Sequence, residues 1–129
     1  MYEPIPEDIE RIGAIVVDAA VKVHRELGPG LLEKVYELCL CHELTRRGLK
    51  WRRQVKLPIV YEGLVIEDAY ELDILIEEAV IAEIKSVRAI EDVHVAQCLT
   101  HLKFAHKRLG FVLNFNVPVM RKGIKRVVL

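Results

Sequence analysis

A mixed α/β domain, with a central sheet flanked by helices, is the fold class this sequence predicts. Two observations carry it: apolar residues recur at three- and four-residue spacing early in the chain and again after residue 90, and between those stretches they alternate with polar ones. Size is the third. With 129 residues, 52% hydrophobic and 29% charged, the chain can bury one core and is expected to form a single domain over 1–129.

Glu7 to Leu27 is read as an amphipathic helix, with Ile9, Ile12, Val16, Ala20, Val23 and Leu27 on one stripe. Gly28-Pro29-Gly30 ends it, since glycine accepts a left-handed cap and proline cannot continue the helix. A second helix is expected from Leu31 to Arg47, closed by Gly48. Trp51, Arg53, Val55, Leu57 and Ile59 then alternate with mostly polar neighbours, and Pro58 suits the end or edge of such a strand. Glu62-Gly63 is a turn, followed by extended segments at Leu64 to Asp68, Tyr70 to Ile76 and Val80 to Val87. Ile90 to Arg108 is again helical and is expected to close at Gly110. Phe111 to Phe115 and Ile124 to Val128 are the last strands. The order is α-α-β-β-β-α-β-β.

No apolar run approaches the roughly 20 residues of a membrane span. The acidic start, Met1-Tyr2-Glu3-Pro4, lacks a signal-peptide pattern, so a cytoplasmic protein without a membrane partner is expected. Cys39, Cys41 and Cys98 are odd in number and form no CxxC; they read as small buried apolar residues rather than a disulfide framework. Net charge is zero, but its distribution is uneven. Residues 62 to 92 carry ten acids against only Lys85 and Arg88. Basic segments flank them, Arg46, Arg47, Lys50, Arg52, Arg53 and Lys56 before and Arg121, Lys122, Lys125 and Arg126 after. That pattern suits a metal site with phosphate-binding shoulders, or equally the ordinary solvated faces of strands.

The loop at Glu77-Glu78-Ala79 decides what faces what. A two-residue loop pairs Asp73 with Ala82 and puts Glu83 on the opposite face. A three-residue loop pairs Ile76 with Val80, Ile74 with Ala82 and Leu72 with Ile84, and brings Asp73 opposite Glu83 with Lys85 on the same side. The second register separates apolar from charged groups better and is preferred. Two opposed carboxylates repel unless a cation lies between them, and Mg²⁺ takes hard oxygen ligands while keeping several waters. With Lys85 beside them, the arrangement suits hydrolysis of a phosphodiester. A solvated salt-bridge face is the competing reading.

The stretch Gly30-Leu31-Leu32-Glu33-Lys34-Val35-Tyr36 matches a GxxExxY signature. With its neighbours Val23 to Gly30 and Arg53-Gln54-Val55, it resembles the small GxxExxY proteins placed within the PD-(D/E)xK nuclease superfamily. The resemblance runs from about Ile12 to Arg126. It implies a restriction-endonuclease-like core with Mg²⁺ or Mn²⁺ as cofactor and DNA or RNA as substrate. By that resemblance Asp73 and Glu83 bind the metal, Glu33 completes the set, and Lys85 positions the attacking water. Gln97 matches a glutamine on the following helix. Leu72 replaces the proline of the pattern, and His101 stands where an aromatic residue is usual, four positions after Gln97.

Rival readings concern the third helix and the activity itself. His94, Gln97 and His101 share one helix face, so a histidine there could contact phosphate; His94, Cys98 and His101 could alternatively hold zinc, though without a fourth ligand. His24 and His42 read as half-buried helix residues. A catalytically silent binding or assembly module on the same fold is the alternative function. Superfamily nucleases often pair and the apolar fraction is high, so a homodimer is expected. So short a chain is expected to carry no appended recognition domain, and structure-selective or weakly selective cleavage is expected.

Overall fold

The computed structural model describes residues 3–129; Met1 and Tyr2, the start of the segment read for a signal peptide, lie outside the described residues. Two helices, α1 (Glu7–Leu27) and α2 (Glu33–Arg46), lead into β1 (Trp51–Tyr61), β2 (Leu64–Ile76) and β3 (Val80–Lys85). Helix α3 (Asp92–Ala105) follows, then β4 (Leu109–Asn114), a 3-10 turn at Met120–Gly123 and β5 (Ile124–Val128). The strands form one mixed sheet in the order β1-β2-β3-β4-β5, parallel only between β3 and β4. That parallel pair requires the α3 crossover between its strands. No helix of the described residues is long and apolar enough to cross a membrane.

Each sheet face is buried under helices. One core joins Val16, Ala20 and Val23 of α1 and Tyr36, Leu40 and Leu44 of α2 to Ile74, Ile76, Ala82, Ile84 and Phe111. The other joins Cys98 and Leu102 of α3 to Leu72, Leu75, Ile81 and Val112. β3 and β4, covered on both faces, are therefore apolar nearly throughout.

Several boundaries differ from the sequence reading; α3 starts at Asp92 rather than Ile90, β4 is Leu109–Asn114 rather than Phe111 to Phe115, and β1 runs on to Tyr61. Helix α2 starts at Glu33 rather than Leu31 because Tyr36 ties down the preceding turn. Its hydroxyl donates to the Gly28 carbonyl at 2.6 Å and accepts from the Leu31 N–H at 3.0 Å, and its ring stacks on Phe115. The two segments Leu64 to Asp68 and Tyr70 to Ile76 are one strand, with Asp68 at φ 50 where the pairing to β1 shifts. β3 ends at Lys85, short of Val87. Helix α3 closes at His106, in the left-handed conformation, and not at Gly110. Gly110 lies inside β4, where a Cβ would come within 2.9 Å of Cys98 Sγ and 3.3 Å of the Ile81 carbonyl. It is the close approach of helix to sheet that requires glycine there.

The preferred register holds where strands pair: Ile76 with Val80, Leu75 with Ile81 and Ile74 with Ala82. Glu77 and Glu78 both take the left-handed region to make the turn. Glu77 is held to Lys50 through main-chain and side-chain hydrogen bonds, and Glu78 accepts from Arg52 at 2.8 and 2.9 Å. The apolar face is not continuous as expected, however. Leu72 belongs to the α3-side core while Ile74 belongs to the α1/α2 side, so β2 changes face at Asp73. β1 does the same opposite it, at Gln54, whose φ is 52.

Candidate active site

That change of face sets the geometry of the acidic centre. Beyond Ile74 and Ala82 the ladder between β2 and β3 stops, so Asp73 and Glu83 are not a ladder pair. Side chains take over from the missing backbone bonds. The Ile84 N–H donates to Asp73 Oδ2 at 2.8 Å, and the Asp73 N–H points to Glu83 Oε2 at 3.4 Å. Glu83 is only 6% exposed and Asp73 is half-buried. Lys85, two residues on and half-buried, lies close enough for its charge to favour ionised Asp73.

Helix α2 contributes two carboxylates one turn apart. Glu33, the sequence candidate, is exposed at the first turn, where its Oε2 accepts from the Ser86 N–H at 3.2 Å beside the end of β3. Glu37, which sequence reasoning missed, is 5% exposed and stands close enough to Asp73 to disfavour its ionisation. Arg53 donates to Glu37 Oε2 from Nε at 2.8 Å, with Nη2 2.7 Å from the same oxygen, and Gln54 Nε2 donates to both Glu37 oxygens at 2.9 Å. The signal available in the sequence was the four-residue spacing from Glu33, which puts both on one helix face.

Burial drives the Asp73 carboxyl up to about 7, with the Glu83 charge adding to it; the Ile84 N–H and Lys85 act the other way. Two carboxylates thus share a sheltered space with too little positive charge. Among the described residues no three His, Cys, Asp or Glu side chains converge as a complete metal cage. The donor set still fits a hard cation, because Mg²⁺ is commonly held by one or two carboxylates and keeps its remaining waters. Asp73 and Glu83 offer such a pair of carboxylates.

Gln97 is not brought to this cluster: it is exposed on α3 and makes no side-chain hydrogen bond. His101, one turn later, is brought there, with Nδ1 at 2.5 Å from Glu83 Oε1. The zinc reading fails because its members do not converge. His94 Nδ1 accepts from the Glu91 N–H at 2.9 Å at the start of the helix, and Cys98 is fully buried, its thiol pushed up to about 12 by burial and then by the Glu83 charge. Cys41 is likewise buried and Cys39 partly so; all three are free thiols. His24 is buried, with Nε2 bonded to the Val117 carbonyl, and His42 is exposed; neither is half-buried.

Four arginines of the expected basic shoulders are committed to ion pairs. Arg47 bridges Asp18 and Glu43, Arg52 meets Glu78, Arg53 meets Glu37 and Arg126 meets Glu10. Among the described residues, Arg46, Lys50, Lys56, Arg121, Lys122 and Lys125 remain exposed without a salt bridge to an acid. An apolar groove between α1 and α2, lined by Val23, Leu27, Leu38 and Cys39, includes none of the clustered carboxylates.

A family model of the PD-(D/E)XK nuclease superfamily matches residues 10–127, nearly the whole chain, and the chain belongs to that superfamily. The mixed five-stranded sheet between helices is consistent with its fold. No curated protein and no solved structure matches the chain.

Proposed function

We propose that this domain, spanning residues 1–129, is a divalent-metal-dependent nuclease that hydrolyses phosphodiester bonds in DNA or RNA. The observation that carries the reading is the buried, cation-poor meeting of Asp73 and Glu83, with Lys85 next along β3. Asp73 and Glu83 hold Mg²⁺ or Mn²⁺ in this reading, and Glu33 is the third carboxylate, placed at the end of β3 through Ser86. When bound, such an ion polarises a phosphoryl oxygen and lowers the pKa of its water. Lys85 orients that water and offsets charge gathering on phosphate. Gln97, on the exposed face of α3, is assigned to the substrate. In the same reading the chain falls among the GxxExxY proteins of the superfamily; Gly30, Glu33 and Tyr36 carry the signature, and Tyr36 here pins the turn that launches α2.

The test is cleavage of labelled single- and double-stranded DNA and RNA with Mg²⁺ or Mn²⁺. Wild type is expected to cut, chelator to stop it, and Glu83→Gln to reduce the rate by at least about 100-fold, the scale of losing a metal or charge-stabilising group. Activity that survives both chelator and Glu83→Gln would remove this site from the reaction. Binding without cutting would favour the silent module instead.

Three free thiols fit a reducing compartment, and a cytoplasmic location is part of the same reading. So is a homodimer. Val60, Tyr61, Leu64 and Val65 expose apolar side chains on the far end of the β1–β2 hairpin, where those strands pair only with each other. Gel filtration is expected to give twice the chain mass; elution at 14.8 kDa would overturn it.

A further inference from the structure

Glu83 cannot organise its own carboxylate. Its backbone is fixed by pairing to Val112 of β4, but the ladder to β2 has already ended, and its side chain reaches into a space shared with another acid. Gln97, the residue expected to reach this region from α3, makes no hydrogen bond to it.

One turn further on, His101 does. Its Nδ1 lies 2.5 Å from Glu83 Oε1, while the other oxygen, Oε2, is the one nearest the Asp73 N–H. The two oxygens of Glu83 are thereby given different surroundings. The His101 ring is itself held: it stacks on Tyr70 with centroids 5.2 Å apart, and Tyr70 packs against Phe104 at 6.2 Å. Only about a fifth of the imidazole is exposed, so it has little freedom to swing away.

We propose that His101 is the positioning residue for Glu83: it occupies Oε1 and leaves Oε2 on the Asp73 side as the oxygen offered to the cation. This rests on the metal-dependent reading above. A carboxylate held in place binds a metal more tightly than one that must be ordered first, and loss of such an outer partner typically weakens metal affinity by about 10- to 100-fold.

The experiment is Mn²⁺ binding to the full chain without nucleic acid, followed by the paramagnetic resonance signal of the free ion. His101→Phe keeps a ring on Tyr70 but removes the hydrogen bond, and His101→Leu is a second bond-less variant should phenylalanine not be accommodated. His101→Gln keeps an N–H able to reach a carboxylate. The expected result is Mn²⁺ affinity lowered about 10- to 100-fold in the bond-less variant and largely recovered in His101→Gln. A bond-less variant that binds as wild type does would overturn the proposal and leave the metal site standing. A His101→Gln chain as weak as His101→Phe would also overturn it, because a hydrogen bond returned to Glu83 would then fail to restore binding. Wild type that binds no Mn²⁺ would remove the metal site and this inference together.

Discussion

Lys85→Ala is expected to slow cleavage by about 100- to 1,000-fold while leaving Mn²⁺ affinity within a few-fold of wild type, because the ammonium acts on charge that develops during reaction and is not itself a metal ligand. Its backbone is firmly placed. Lys85 pairs with Asn114 of β4, and its carbonyl accepts from the Phe115 N–H at 3.0 Å. Beyond it, Asn114 holds both main-chain groups of Val87. Among the described residues the side chain, by contrast, donates to no carboxylate, so the ammonium is available to a water or phosphate. Removing it should therefore disturb neither core, and urea melts of the two proteins should agree within about 0.5 kcal/mol, as for substitutions away from packed features. Arginine at this position keeps the charge but not its compact shape and is expected to restore only part of the rate. Single-turnover rates and Mn²⁺ titrations on the same preparations separate the two effects. A Lys85→Ala rate within tenfold of wild type would take Lys85 out of the chemistry.

Periodicity carried most of the fold. α1 and β5 begin and end where the spacing put them, and the three-residue turn at Glu77 to Ala79 sets the register chosen for its separation of apolar and charged groups. What local pattern could not reveal were the events that depend on a distant partner. Gly110 looked like a helix stop because nothing nearby announces that α3 lies against β4 at that point. Leu72 looked like a continuation of the Ile74 and Ile76 face because alternation assumes an unbroken strand, and β2 breaks its alternation at Asp73. The candidate site divides along the same line. Asp73, Glu83 and Lys85 sit within one hairpin and could be related by counting residues. Glu37, Arg53, Gln54 and His101 reach the acidic centre from three separate elements, and only tertiary packing joins them.

Asp73→Asn is expected to make the metal-free protein more stable at alkaline pH, and the sign follows from the raised carboxyl. Asp73 titrates near 7 in the folded chain against an ordinary 3.8, because burial and then the Glu83 charge disfavour its ionised form. The native state therefore binds this proton more tightly than the unfolded chain does. Stability contributed by the protonated form is complete below about 3.8 and is lost as pH rises towards 7. At about 1.4 kcal/mol for each pH unit, the ionised carboxylate destabilises the metal-free fold by up to about 4 kcal/mol above neutrality, with 2–4 kcal/mol the expected range. Asparagine carries no charge and retains an oxygen to accept from the Ile84 N–H, so it removes the penalty without orphaning that donor. Denaturant melts of the two proteins at pH 5 and pH 8 are the measurement. Their difference cancels the many carboxylates common to both chains, and it should favour Asp73→Asn increasingly with pH. Mg²⁺ should reverse the comparison at pH 8, stabilising wild type by mass action and the variant hardly at all. A variant less stable than wild type at pH 8 without metal would mean that Asp73 is a satisfied structural carboxylate, and the cation-poor site that motivates the nuclease reading would be lost with it. The same pair of acids that weakens the empty fold is what a divalent ion would bind, so stability and metal affinity are expected to trade against each other at this one residue.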